Sequence, residues 1–314
     1  MNLESYKHVD GVSLHGWYHE DMIRSALSYK PRSDDIFIVT YPKSGTTWMQ
    51  YVILSILGEG NVPKTFAEYM LTSPHLELFG EEGVEKMPRP GPIKTHLPFH
   101  KAPYSPEAKY ICVARNVYDV CVSYYYHMRG LTPISVKDVS FATFHDMFTT
   151  GKLSYGDYFD HVLSWYERRD NPNVLFFTYE DVKKDHQLWV LNIAKFLGEN
   201  YAQAFRKDPE LLRKVVNASS LSNMKQIFAG KISASVMNLL NLPSGKALKA
   251  LQVYRDIWPH MGELHPNEDF VRKGVIGDWK EHFTPELIEK TKAWIERKTT
   301  GSDVMQLWKD IELP

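Results

Sequence analysis

Residues 40–50 read TYPKSGTTWMQ, a polar loop set between the apolar run IFIVT at 36–40 and an apolar stretch that ends at Gly58. IFIVT is short, β-branched and uninterrupted, the pattern of a strand buried on both faces. A helix is expected from Thr46 to Leu57, with Gly58 as its stop. Strand, glycine-containing loop and helix in that order make a cradle for an anion. The first amides of the helix are unpaired and point outwards, and the helix dipole adds about half a positive charge. Gly45 lets the backbone approach a ligand, Ser44, Thr46 and Thr47 add hydroxyl donors, and Lys43 adds a mobile cation.

The alternation continues along the chain. PIKTH at 92–96 reads as a short strand leading into a loop, and KYICVAR at 109–115 as a second buried strand. A helix follows over 116–128, with Asn116 as N-cap and Asp119 as its cap partner. Another helix is expected over 156–169, a strand at VLFFT (174–178), and a helix over 186–197. Residues 60–92 are rich in proline and glycine and read as irregular with short helices. The tail from Pro285 to Trp308 reads as two helices split at Gly301. This order predicts an α/β fold: one domain over 1–314 with a central, mostly parallel sheet flanked by helices. Ligands in such sheets bind beyond the carboxyl ends of the strands, where the 41–47 loop, Arg115 and Tyr179 fall. Residues 229–268 are the least readable stretch and read as a lid or insertion.

Bulk properties narrow the function. The 314 residues are 43% apolar and 24% charged with a net charge of −1, which argues against a nucleic-acid or membrane partner. The N-terminus has no apolar signal core, and the run at 48–58 is too short to span a bilayer. Cys112 and Cys121 lie in apolar patterns without metal spacing, and read as buried free thiols of a cytoplasmic protein.

The loop is not the nucleoside-triphosphate loop GxxxxGK[ST]. Thr40 stands at the first glycine and Thr46 at the lysine, and the next strand end carries Arg115 where a magnesium-binding aspartate is expected. A nucleotide held by basic side chains without a metal fits better than one held by metal–triphosphate chemistry.

YPKSGTTW resembles the 5′-phosphosulfate loop of the cytosolic sulfotransferases. KTHLP (94–98), RNVYDVCVSYYYH (115–127), FTYEDVKKD (177–185) and RKGVIGDWKEHFT (272–284) follow in that family's order, over about residues 11–300. The resemblance implies a sulfotransferase fold with a P-loop-like strand–loop–helix, 3′-phosphoadenosine 5′-phosphosulfate (PAPS) as co-substrate, adenosine 3′,5′-bisphosphate (PAP) as product, and no metal. It assigns Lys43, Ser44, Gly45, Thr46, Thr47 and Trp48 to the 5′ end of the nucleotide. Arg115, Ser123, Arg272, Lys273 and Gly274 go to the 3′-phosphate, and Tyr179, Ser219 and Leu221 to the adenine end. His96 is expected as general base, with Lys43, Lys94 and Ser123 in the catalytic set. Trp17, Tyr18, His75, Leu78, Lys94, His96, Tyr126 and His127 are the expected acceptor pocket. The acceptor implied is small and aromatic: a phenol, a catecholamine-like amine or a sterol. Two departures stand out. Leu221 replaces a stacking phenylalanine, and Pro285 replaces valine in a dimer segment running from Lys280 to Glu289, which weakens the expectation of a homodimer. The competing readings are a small-molecule kinase and a nucleotide-binding module without catalysis.

Overall fold

A computed structural model of the chain describes residues 6–130, 139–228, 232–243, 248–257 and 271–314. It opens with an antiparallel hairpin of β1 (Tyr6–Val9) and β2 (Val12–His15). No strand was expected there, because four-residue strands are too short to display a period. The main sheet holds β3 (Ile36–Thr40), β4 (Pro92–Thr95), β5 (Lys109–Ala114) and β6 (Val174–Thr178) in the order β4-β3-β5-β6, all parallel.

All five residues of β3 are buried, as the unbroken apolar run requires. Its side chains alternate between two cores. Ile36 and Ile38 pack with Met49, Val52, Ile53 and Ile56 of α2 (Thr46–Leu57), after a first helix α1 (Glu20–Ser28). Phe37 and Val39 pack with Tyr110, Cys112 and Trp165 on the other face. Burying each such side chain is worth about 1.5–3 kcal/mol, so a one-residue slip of β3 is strongly disfavoured.

Between β3 and β4 the chain forms α3 (Phe66–Thr72) and α4 (Leu76–Lys86), the latter broken at Gly80. After β5 comes α5 (Val117–Gly130), where Asn116 Oδ1 accepts the Asp119 amide at 2.9 Å, the expected cap. Next are α6 (Phe141–Thr149) and α7 (Tyr158–Tyr166), the latter shorter than the expected 156–169 because Asp157 caps its start. A capping box of Thr178 and Asp181 starts α8 (Tyr179–Lys184) directly at the end of β6. Four helices follow: α9 (His186–Leu197), α10 (Glu199–Lys207), α11 (Pro209–Ala218) and α12 (Leu221–Ile227).

Within the region 229–268, α13 (Ile232–Leu240) and α14 (Lys249–Ile257) are helical, while 229–231, 244–247 and 258–268 lie outside the described residues. The tail departs from expectation. α15 (Pro285–Thr299) is capped by Thr284 and has Pro285 in its first turn, but the second helix is only a 3₁₀ turn at Val304–Trp308. Five residues suffice there because Val304 and Trp308 are both buried and Trp308 Nε1 donates to Glu180 Oε2 at 2.9 Å. Cys112 and Cys121 are buried free thiols. No helix among the described residues is long and apolar enough to cross a membrane.

Candidate active site

The loop after β3 contains two left-handed residues, Lys43 (φ +72) and Gly45 (φ +102). The conformation is costly for lysine by about 1–2 kcal/mol, and such strain is typical of functional loops. Gly45 is needed on two counts: its φ, and a Cβ there that would lie 2.8 Å from Tyr179 Cδ2. Thr46 Oγ1 lies 2.6 Å from Thr40 Oγ1, which anchors the start of α2 to the end of β3. Trp48 Nε1 donates to the Ser219 carbonyl at 2.9 Å, and its ring meets Tyr179 edge-on at 5.2 Å.

Arg115 leaves the end of β5 and crosses the Tyr179 ring at 4.5 Å, donating Nη2–H to the Val275 carbonyl at 2.9 Å. Asp119 does more than cap α5. Its two oxygens accept the amides of Gly277 (2.9 Å) and Trp279 (3.1 Å), and so tether the 271–279 segment to α5. On that segment Arg272 pairs with Asp278 and lies 4.5 Å over the Tyr126 ring. Lys273 Nζ is 2.6 Å from both Asp278 and Glu281. Gly274 (φ +66) leans on Leu221, 2.7 Å from where its Cβ would be. These groups close around one cavity of about 210 Å³, whose lining includes Lys43, Lys94, Arg115, Arg272 and Lys273. No aspartate or glutamate lines it among the described residues.

The end of β4 supplies Lys94 and His96. His96 Nδ1 lies 2.7 Å from the Thr40 carbonyl oxygen. A carbonyl only accepts, so Nδ1 carries the hydrogen and the lone pair is on Nε2. Beneath this turn sits Glu77, fully buried, with Oε1 accepting the His96 amide (2.7 Å) and the Thr95 hydroxyl (3.1 Å). Burial pushes the Glu77 carboxyl up to about 7 and the Lys94 ammonium down to about 8, each opposed by the charge of the other. Burial, with Lys94 and His75 behind it, holds His96 well below the usual histidine range, so its imidazole is neutral at pH 7.

A second cavity of about 220 Å³ lies on the far side of this turn. Trp17, Phe66, Met70, Leu78 and Phe79 give it apolar walls, and Val236, Leu239, Leu240, Leu251 and Tyr254 of α13 and α14 complete them. Its polar lining includes Tyr18, Tyr155 and His75, linked by Tyr155 hydroxyl contacts of 3.1 Å to Tyr18 and 3.2 Å to His75 Nε2. Among the described residues, the two cavities share only Pro42, Lys94, His96 and His127.

A family model described as the sulfotransferase domain matches residues 33–303. The chain belongs to the sulfotransferase family. It is 34% identical over 292 residues to sulfotransferase 1E1 of Bos taurus, spanning 90% of this chain and 89% of that protein. It is 32% identical to sulfotransferase 1B1 of Canis lupus familiaris, spanning 87% and 86%. Among solved structures, mouse sulfotransferase SULT7A1 complexed with PAP covers 98% of both chains at 28% identity, with a TM-score of 0.71. A retinol dehydratase in complex with retinol and PAP, 24% identical with a TM-score of 0.72 over 97% and 90% of the two chains, shares the fold.

Most of the residues expected at the nucleotide line this sulfotransferase's first cavity: Lys43, Gly45, Thr46, Thr47, Trp48, Arg115, Ser123, Tyr179, Leu221, Arg272, Lys273 and Gly274. Ser44 and Ser219 do not. The Ser44 side chain is buried with its hydroxyl unpartnered, and the Ser219 hydroxyl turns back to the Val215 carbonyl at 3.0 Å. Of the residues expected at an acceptor, Trp17, Tyr18, His75, Leu78, Lys94, His96 and His127 line the second cavity. Tyr126 does not; it lines the first, beneath Arg272. It sits one turn after Ser123 on α5, and that i, i+3 spacing is the signal that finds it. Glu77 and Tyr155 were missed. A lone carboxylate inside the apolar run HLELF (75–79) is the mark that singles out Glu77.

Proposed function

We propose that this protein transfers a sulfuryl group from PAPS to a hydroxyl of a small, largely apolar acceptor. One observation carries the reading: a basic cavity and an apolar cavity meet at a wall made of Lys94, His96, His127 and Pro42. The nucleotide occupies the basic cavity. The amides of the 43–48 loop and Lys43 hold its 5′ end, while Arg115, Ser123 and the 272–274 segment hold the 3′-phosphate, with arginine suited to forked contacts. Trp48 and Tyr179 flank adenine. Among the described residues no carboxylate lines this cavity, which suits anion binding by cationic side chains better than it suits magnesium, which favours oxygen ligands.

The acceptor occupies the second cavity, with α13 and α14 as its roof. No carboxylate lines that cavity among the described residues, and Lys94 stands at its mouth, so an ammonium finds no counter-charge. This favours an uncharged phenol or sterol-like alcohol over a catecholamine. His96 Nε2 takes the acceptor proton, the acceptor oxygen attacks sulfur, and the bond to the 5′-phosphate oxygen breaks with its electron pair staying on the phosphate. Lys43 and Lys94 face the charge that grows there. A homodimer through the 280–289 segment belongs to the same proposal; within the chain Lys280 already pairs with Glu312 at 2.6 Å.

Incubation with PAPS and a panel of phenols, sterols and amines, in buffer containing a chelator, tests the reading. PAP and an O-sulfated phenol or sterol are the expected products, with charged amines poorer by at least about tenfold, since leaving one buried charge uncompensated costs about 3–5 kcal/mol. Absence of PAP with every acceptor, or transfer only when magnesium and ATP are supplied, contradicts it.

A further inference from the structure

His127 is one of the four residues shared by the two cavities, and it lies on α5 one turn after Ser123. Its Nδ1 is buried with no hydrogen-bond partner among the described residues, and Nε2 is then the nitrogen left to meet the two cavities that the residue lines. A neutral imidazole has one N–H and one lone pair. Placing the N–H at Nδ1 would strand a donor in the interior, whereas placing it at Nε2 presents the donor to the cavity. Burial, together with Lys43 and Lys94, holds His127 in the neutral form. The two lysines that act on it are those that flank the transferring group in the proposed reaction.

We propose that His127 is a second catalytic imidazole, whose Nε2–H donates to a non-bridging oxygen of the sulfuryl group while that group moves between the cavities. The inference rests on the sulfuryl-transfer reading above. The two histidines thus hold opposite tautomers with opposite tasks. His96 has its N–H tied to Thr40 and accepts the acceptor's proton at Nε2. His127 keeps its proton throughout and stabilises charge as the new oxygen–sulfur bond forms and the bond to the 5′-phosphate oxygen breaks. A donor aimed at developing charge in a site screened from water is typically worth about 10²–10³ in kcat.

His127→Phe keeps a flat ring and removes the donor; His127→Gln restores an N–H. Both variants are compared with the unaltered protein in kcat, acceptor KM, PAP affinity by calorimetry and thermal midpoint. The expected result is a kcat lower by about 10²-fold in His127→Phe, with PAP affinity and midpoint unchanged, and at least about tenfold recovery in His127→Gln. The proposal is overturned if His127→Phe keeps its kcat within about threefold, if the loss appears only in KM, or if His127→Gln is as slow as His127→Phe. An unaltered protein that transfers no sulfuryl group to any acceptor removes the parent reading; a normal protein with an unimpaired His127→Phe removes only this role.

Discussion

Replacing His96 by alanine is expected to lower kcat by roughly 10²–10⁴-fold while PAP binds as before. The geometry gives the reason. The Nδ1–H of His96 is held by the Thr40 carbonyl, so the ring is fixed with the lone pair on Nε2, and the residue lines both cavities. Its depressed pKa keeps that nitrogen unprotonated at neutral pH, ready to take a proton. The negative charge of the arriving nucleotide then raises its basicity in the loaded enzyme. In the proposed reaction His96 meets the reacting group and not the phosphates, so its loss is expected in kcat. Steady-state kinetics paired with PAP calorimetry separates the two. A variant with normal kcat, or one whose PAP affinity falls as far as its kcat, removes His96 as the base.

The second large effect is on stability at low pH. Burial holds His15, His75, His96, His127, His145 and His161 below the usual histidine range, His15 at about 4 and His161 at about 3. Each is neutral in the fold but free to ionise near 6.5 when unfolded. Below that value the unfolded chain takes up protons that the native chain refuses, so stability falls as pH falls. Glu77, at about 7 in the fold, works in the opposite direction between its unfolded value and pH 7, as do the raised carboxyls of Asp157 and Glu180. The histidines outnumber them. A net loss of stability is expected between pH 6.5 and 5.5, with each imidazole that the fold keeps neutral contributing up to about 1 kcal/mol over that interval. Denaturant titrations at pH 7.5, 6.5 and 5.5 read it directly. A midpoint that is constant or rises towards pH 5.5 means that these imidazoles are not held neutral.

What the sequence revealed follows from locality. The nucleotide loop is contiguous at 43–48, and its strand and helix each carry a clear pattern, so fold and donor cradle were legible together. Arg115 was legible because strand ends in a parallel sheet gather on one side. The second cavity is built differently. Its walls come from β2, α3, α4, α5 and the helices α13 and α14, brought together only by tertiary packing. No spacing in the chain links Leu240 to Trp17. Tyr126 and His127 are neighbours in sequence, yet only His127 belongs to both cavities, and resolving that takes the rotation of α5. Ser44 and Ser219 show the converse. A motif fixes the backbone path and leaves the side chain free to turn inward, and in both cases the hydroxyl does so.

The most direct test is a crystal structure with PAP bound in metal-free buffer. The expected complex has the 5′-phosphate against the amides of residues 45–48, the 3′-phosphate between Arg115, Ser123 and residues 272–274, and the Lys94–His96 turn facing the 5′ end. A nucleotide bound in the reverse direction, in another cavity, or with His96 far from its 5′-phosphate contradicts it.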